Sequence, residues 1–313
     1  GGGGGGWPHW GQEAVKGYLT RQRDLYRWLH DQAMRLANLG YTPNEIAAEV
    51  DLPPGLWDDY MCHGYYGTVS HNVRAVYQRY IGFYDGHPSS LDPFTPVDAG
   101  KKYVDFMGGI DALLEKARAA FESGDYRWVA EVLRHAVFAD PQNNQVRLLQ
   151  ADAFEQLAYQ AESGPWRDIY LTGAQELRNG SINIPVLQRP RLEVAKGMTL
   201  GQIFDFLAVK VDGPSAIKLG PVLINWSFTD TGETALLELS NGTLHSKIGS
   251  FSKSADVIVS SSRDVIEELI ATEYSLSQAI GDERVKISGD SEKILNLWET
   301  FTDFPLFWPI IEP

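Results

Sequence analysis

The sequence predicts two folded parts in series, an all-α domain followed by an α+β domain with helices laid on an antiparallel sheet. Three observations carry this. Apolar residues recur at three- and four-residue steps from Gln12 to about Arg178, punctuated by cap and turn residues. That period lapses between Asn179 and Ala195, where Pro185 and Pro190 mark an extended connector. Beyond it, short alternating stretches separated by turn dipeptides replace the helical pattern.

Each helix has its own signals. In Gln12 to Leu39, Leu25, Leu29 and Leu36 fall on one stripe, and Gly40 fits a stop. Thr42, Pro43 and Glu45 form a capping box for a short helix that ends before Pro53-Pro54. This segment resembles the first half of a helix-turn-helix. The stretch after it carries Asp58 and Asp59 and no basic residue, which argues against DNA binding. Gly64 and Gly67 suggest close backbone approach, and Ser70 is placed to cap a helix from His71 to Ile81. Pro96 opens the next helix. From Gly109 to Ala161 two helical hairpins follow, with Ala117, Ala120 and Phe121 at tetratricopeptide-like positions.

In the second part, Leu200 to Val211 is an amphipathic helix. Strands are predicted at 222–230, 234–239, 243–248 and 256–260, with Asn241-Gly242 as a hairpin turn. Helices at 262–271 and 275–279, a strand at 285–288 and a helix at 291–302 complete the order. The predicted organisation is residues 1–6 as a glycine linker or placeholder, 7–178 helical, 179–197 connector, and 198–313 α+β.

Composition bounds the function. Of 313 residues, 43% are hydrophobic and 22% charged, as in a folded, soluble protein. The net charge of −14 repels phosphate backbones, so nucleic acid is not an expected partner. No apolar stretch is long enough to cross a bilayer. The lone Cys62 cannot build a structural zinc site and reads as a small buried residue. The seven histidines show no metal-type spacing; the nearest pair, His63 and His71, is interrupted by Gly64 and Gly67.

Three strings carry a resemblance: WPHWGQEAVKGYLTRQRDLYRWLHDQ from residue 7, GYYGTVSHNVRAVYQRYIGFYDGHPSSL from residue 64, and QAESGPWRDIYLTGAQELR ending at 178. Together they resemble the dimerisation domain of bacterial alkylsulfatases of the metallo-β-lactamase type, which hydrolyse surfactants such as dodecyl sulfate. The tail, with NWSFTDTGE and ELSNGTLHS, resembles the sterol-carrier-like (SCP2-like) domain of the same enzymes. The resemblance implies a homodimer. It implies a metallo-β-lactamase-type domain ahead of the helical one, holding two zinc ions through an HxHxDH motif, and a periplasmic or secreted parent enzyme. No HxHxDH string occurs here, and His9 follows Trp7-Pro8 where the family ligand precedes that dipeptide. The expectation is therefore a C-terminal portion without cofactor or catalytic residue of its own.

By the same resemblance, His71 and Asn72 are expected to contact the sulfate group, with Tyr84 standing in for a family tyrosine where Phe83 falls, and Arg79 adding positive charge. Read without it, His71 is a helix-start histidine, and Asn72 and Tyr84 are cap and core residues. In the sterol-carrier-like domain, Trp226, Phe228, Trp298 and Phe301 could line an apolar tunnel for an alkyl chain, or be ordinary core. The alternative function is a free-standing helical-repeat and lipid-binding protein with no catalytic role.

Overall fold

A computed structural model describes residues 8–181, 191–305 and 307–313. The glycine run therefore lies outside the described residues. The chain divides into two compact units, Gly1–Ile182 with Trp308–Pro313, and Asn183–Phe307.

The first unit is helical: α1 (Gln12–Ala37), α2 (Pro43–Glu49), α3 (Pro54–Trp57), α4 (Val69–Tyr80), α5 (Pro96–Phe106), α6 (Ile110–Glu122), α7 (Tyr126–Ala139), α8 (Asn144–Gln160) and α9 (Gly164–Asn179). The capping box forms as expected: the Thr42 N–H donates to Glu45 Oε2 at 2.8 Å, and the Glu45 N–H to Thr42 Oγ1 at 3.4 Å. One expectation is corrected. Thr68, not Ser70, caps α4, accepting from the His71 N–H at 3.0 Å, while the Ser70 hydroxyl accepts from Arg74. Either hydroxyl can cap; the loop geometry before α4 selects Thr68.

Two apolar cores organise this unit. Leu29, Ala33 and Leu36 of α1 pack with Ile46, Val73 and Tyr77 from α2 and α4. Leu113, Ala117, Val129, Leu133, Val146 and Ala174 join α6 to α9, with Ala120 and Phe121 against them. The last residues of the chain return to this second core. Ile311 packs against it, the Ile310 N–H donates to Glu176 Oε2 at 3.1 Å, and Glu312 pairs with Arg147.

The second unit begins with α10 (Leu192–Gly197), a helix where extended chain was expected, and α11 (Leu200–Lys210) and α12 (Gly213–Ala216) follow. The sheet comprises β1 (Val222–Phe228), β2 (Thr234–Ser240), β3 (Thr243–Ile248), β4 (Val257–Ser261) and β5 (Val285–Gly289) in the order β3-β2-β1-β4-β5. Helices α13 (Arg263–Ala271), α14 (Leu276–Gly281) and α15 (Ser291–Glu299) complete the unit. The hairpin turn is as expected, with positive φ at Asn241 (52°) and Gly242 (74°). The sheet is mixed. Three pairings are antiparallel, and β1 pairs with β4 in parallel. Since β3 and β4 lie on opposite sides of the β1–β2 pair, the chain must cross over between them. Asn225 holds that crossing: its Nδ2 donates to the Ser252 carbonyl at 2.7 Å, and the Ser252 N–H donates to its Oδ1 at 2.9 Å. Alternate residues of β1, Ile224, Trp226 and Phe228, bury on the other face with Phe204, Ile266 and Leu297.

Candidate functional site

The segments that carry the family-like strings converge in the helical unit. The loop from His63 to Thr68 lies along residues 162–164, where α8 hands over to α9. Ser163, almost fully buried, donates from its hydroxyl to the Tyr66 carbonyl at 2.5 Å, and the Gly164 N–H donates to the Tyr65 carbonyl at 2.9 Å. Ser163 also caps α9 through the Trp166 N–H at 3.3 Å. The Glu162 carboxylate accepts from the Gly64 N–H at 3.3 Å and bonds His63 Nδ1 at 2.8 Å. A cavity of about 310 Å³ opens beside this seam, lined among others by Asp51, Trp57, His63, Ser70, Glu162 and Trp166.

The HDQ string has a physical role too. His30 Nδ1 lies 2.8 Å from Asp31, and its Nε2 lies 3.1 Å from the Tyr80 hydroxyl, tying α1 to α4. The His30 bond, with a second from Arg27, holds the Asp31 carboxyl below its usual range.

The structure brings together only half of the expected sulfate contacts. His71 occupies the first turn of α4 with its side chain exposed, and its ring meets that of Trp166 edge-on at 6.4 Å. Asn72 folds back under the loop: a Cβ on Gly67 would lie 3.0 Å from its Oδ1, so a larger residue there would press on the Asn72 side chain. Arg79 sits about 12 Å farther along the helix axis, at eight residues of helical rise. Tyr84 follows α4 in the next loop, half-buried. Arg79 and Tyr84 are thus at the opposite end of α4 from His71 and Asn72.

Sequence reasoning named His63 only as a poor metal candidate and missed its partner Glu162. The bond joins positions 99 residues apart, and no local pattern signals it. Cys62 is buried, and burial pushes its thiol above the usual cysteine range, as befits a packing residue.

In the second unit the four apolar candidates do come together. Trp226 and Phe228 stack at 6.0 Å, Trp298 lies 6.2 Å from Trp226, and Phe301 lies 5.0 Å from Trp298. Trp226 and Phe228 are fully buried, with the indole N–H donating to Ser261 Oγ at 2.9 Å. Trp298 and Phe301 are partly exposed at the margin of the core.

Among the described residues, no three His, Cys, Asp or Glu side chains converge as a metal site. Both ring nitrogens of His63 are already engaged. Nor, among the described residues, is any helix long and apolar enough to cross a membrane.

A helical unit laced by these strings, followed by an α+β unit, defines a pair of modules found side by side in one class of hydrolase. The alkyl sulfatase dimerisation family model matches residues 42–180, and the alkyl sulfatase C-terminal model matches 190–313. The chain belongs to the alkylsulfatase family, in its dimerisation and C-terminal regions. It is 42% identical to a linear primary-alkylsulfatase and 44% identical to an (R)-specific secondary-alkylsulfatase, both from Pseudomonas. Each match covers 98% of this chain, but only 45% and 46% of those relatives. The solved structure of the stereoselective inverting sec-alkylsulfatase Pisa1, also from Pseudomonas, superposes with a TM-score of 0.91 at 44% identity, over 98% of this chain and 48% of that one. The chain thus spans about half the length of the relatives it matches.

Proposed function

We propose that this chain works as the C-terminal portion of a zinc-dependent alkylsulfatase that hydrolyses alkyl sulfates, such as dodecyl sulfate, to alcohol and sulfate. In this reading it supplies the contacts of a homodimer and one wall of the sulfate pocket, and the two zinc ions belong to a metallo-β-lactamase-type domain. The observation that carries the reading is the convergence of the 63–72 and 162–166 segments, which leaves His71 exposed on the first turn of α4 beside Trp166. A sulfate ester is a monoanion whose oxygens need N–H donors, and an exposed imidazole on a fixed helix end meets that need. Asn72, on the same turn, is the second expected contact of the sulfate group. Arg79, near the far end of α4, and Tyr84, in the loop after it, are the further expected contacts of the sulfate group. For the alkyl chain, the second unit offers Trp298 and Phe301 at its margin.

A stripe of half-exposed apolar residues on α1, Val15, Leu19 and Tyr26, suits the dimer contact. Leu29, Ala33 and Leu36 of the same helix face inward.

The test joins this chain to the metallo-β-lactamase-type domain of a relative. The joined enzyme should turn over dodecyl sulfate, and the 313 residues alone should not, with or without zinc. In the joined enzyme, His71→Ala should lower kcat/KM about 10- to 100-fold, the size of one charge-assisted hydrogen bond. Turnover by the 313 residues alone, or an unaffected H71A enzyme, would overturn the reading.

A further inference from the structure

His63 sits between two acceptors. Its Nδ1 lies 2.8 Å from Glu162 Oε1, and its Nε2 lies 2.8 Å from the Trp57 carbonyl oxygen. A neutral imidazole has one N–H; it satisfies one acceptor and turns a lone pair on the other. Only the imidazolium makes both bonds. We propose that His63 is a proton-operated fastener: protonated, it ties the Trp57 end of α3 to Glu162 and sets the rim of the adjoining cavity, and deprotonated, it releases Trp57 and lets that rim open. This does not rest on the sulfate reading.

The other contacts of the seam decide which side moves. Ser163 with Tyr66, and Gly164 with Tyr65, hold the loop to the start of α9 through groups that do not titrate. A neutral His63 that keeps its proton on Nδ1 retains Glu162, so the bond that fails is the one to Trp57. The groups facing His63 favour the charged form. Glu162 bonds it directly, and Asp59 adds negative charge from the turn before it. Asp59 is itself paired with Arg21 of α1, which tempers its effect. Asp51 lines the same cavity. The Tyr65 ring stacks on the imidazole at 5.7 Å, and burial and Tyr60 push its phenol above the usual range, so it stays neutral as His63 titrates.

The sign follows from geometry. The Glu162 bond raises His63 above the ordinary histidine range, burial opposes this, and the Trp57 carbonyl adds to the rise. A group raised in the folded state stabilises fully below its unfolded pKa, and that contribution is lost as pH climbs through the folded value. The rim is therefore fastened below the raised folded value of His63 and released as pH climbs through it.

The experiment is a histidine NMR titration of the 313-residue chain, with 5-fluorotryptophan reporting Trp57, assigned by H63Q and W57F. His63 should titrate above the ordinary histidine range, with both ring nitrogens protonated below its midpoint, and the Trp57 resonance should move with the same midpoint. Glu162→Gln should weaken proton binding at His63 on the order of tenfold, one pH unit of midpoint. Titration of His63 in the ordinary range, or a Trp57 signal that ignores it, would overturn the proposal. Should E162Q fail to fold, the wild-type titration decides alone.

Discussion

Trp226 shows how a single residue can be read two ways from sequence. An aromatic on an alternating strand fits a ligand tunnel and a packed core equally well. The structure gives it no exposed surface, a stacked Phe228 and a bonded Ser261, which is itself buried. Trp226→Ala should therefore cost about 3–5 kcal/mol in urea unfolding. Trp226→Phe should cost about 1–3 kcal/mol, since it strands the Ser261 hydroxyl. A cost well under 1 kcal/mol for the alanine variant would mean that the site already holds space for a ligand. His63 is the converse case: its sequence neighbourhood carries no hint of its role, because Glu162 arrives from another helix junction.

At the scale of elements, the crossing of α5 over α7 depends on the missing side chain of Gly100. A Cβ there would lie 2.6 Å from the His135 carbonyl oxygen and 3.2 Å from the Ala139 nitrogen. Alanine normally favours a helix over glycine by about 1 kcal/mol. Here the sign should reverse, with Gly100→Ala costing about 1–3 kcal/mol because the helices must move apart. Thermal unfolding followed by circular dichroism measures it, and a variant as stable as the parent would show that the helices part at no cost. The start of α5 at Pro96 is legible in sequence; what crosses it is not, since the approaching backbone belongs to another helix.

At the scale of the molecule, the two ends of the helical unit's chain are far apart in sequence. Arg147, with its side chain only 12% exposed, donates to the carbonyls of Leu177, Pro141 and Glu176 and pairs with Glu312. Glu176, itself 5% exposed, accepts from the Ile310 N–H. Removing residues 308–313 should strip Ile311 from the core and leave both charges without these partners. Breaking a buried pair costs about 3–5 kcal/mol, so the helical unit should melt markedly lower in calorimetry. An unchanged transition would show that the tail contributes nothing. A related ambiguity runs through the second unit. The strands are placed by their alternation, but a five-strand pattern fits an antiparallel meander as well as the mixed order found here.

By itself the sequence determined the local chemistry: the capping box at Thr42 and Glu45, the Asn241-Gly242 turn, the order of the strands and longer helices, and the strings that place the chain among alkylsulfatases. These follow from backbone propensity and side-chain period, which act over a few residues. Tertiary structure alone decided that β1 pairs in parallel with β4, that His63 meets Glu162, and that Glu312 reaches Arg147 across 165 positions. Such partners are chosen by packing between distant segments, where many pairings satisfy the same local pattern and only one fills the core and satisfies the buried polar groups.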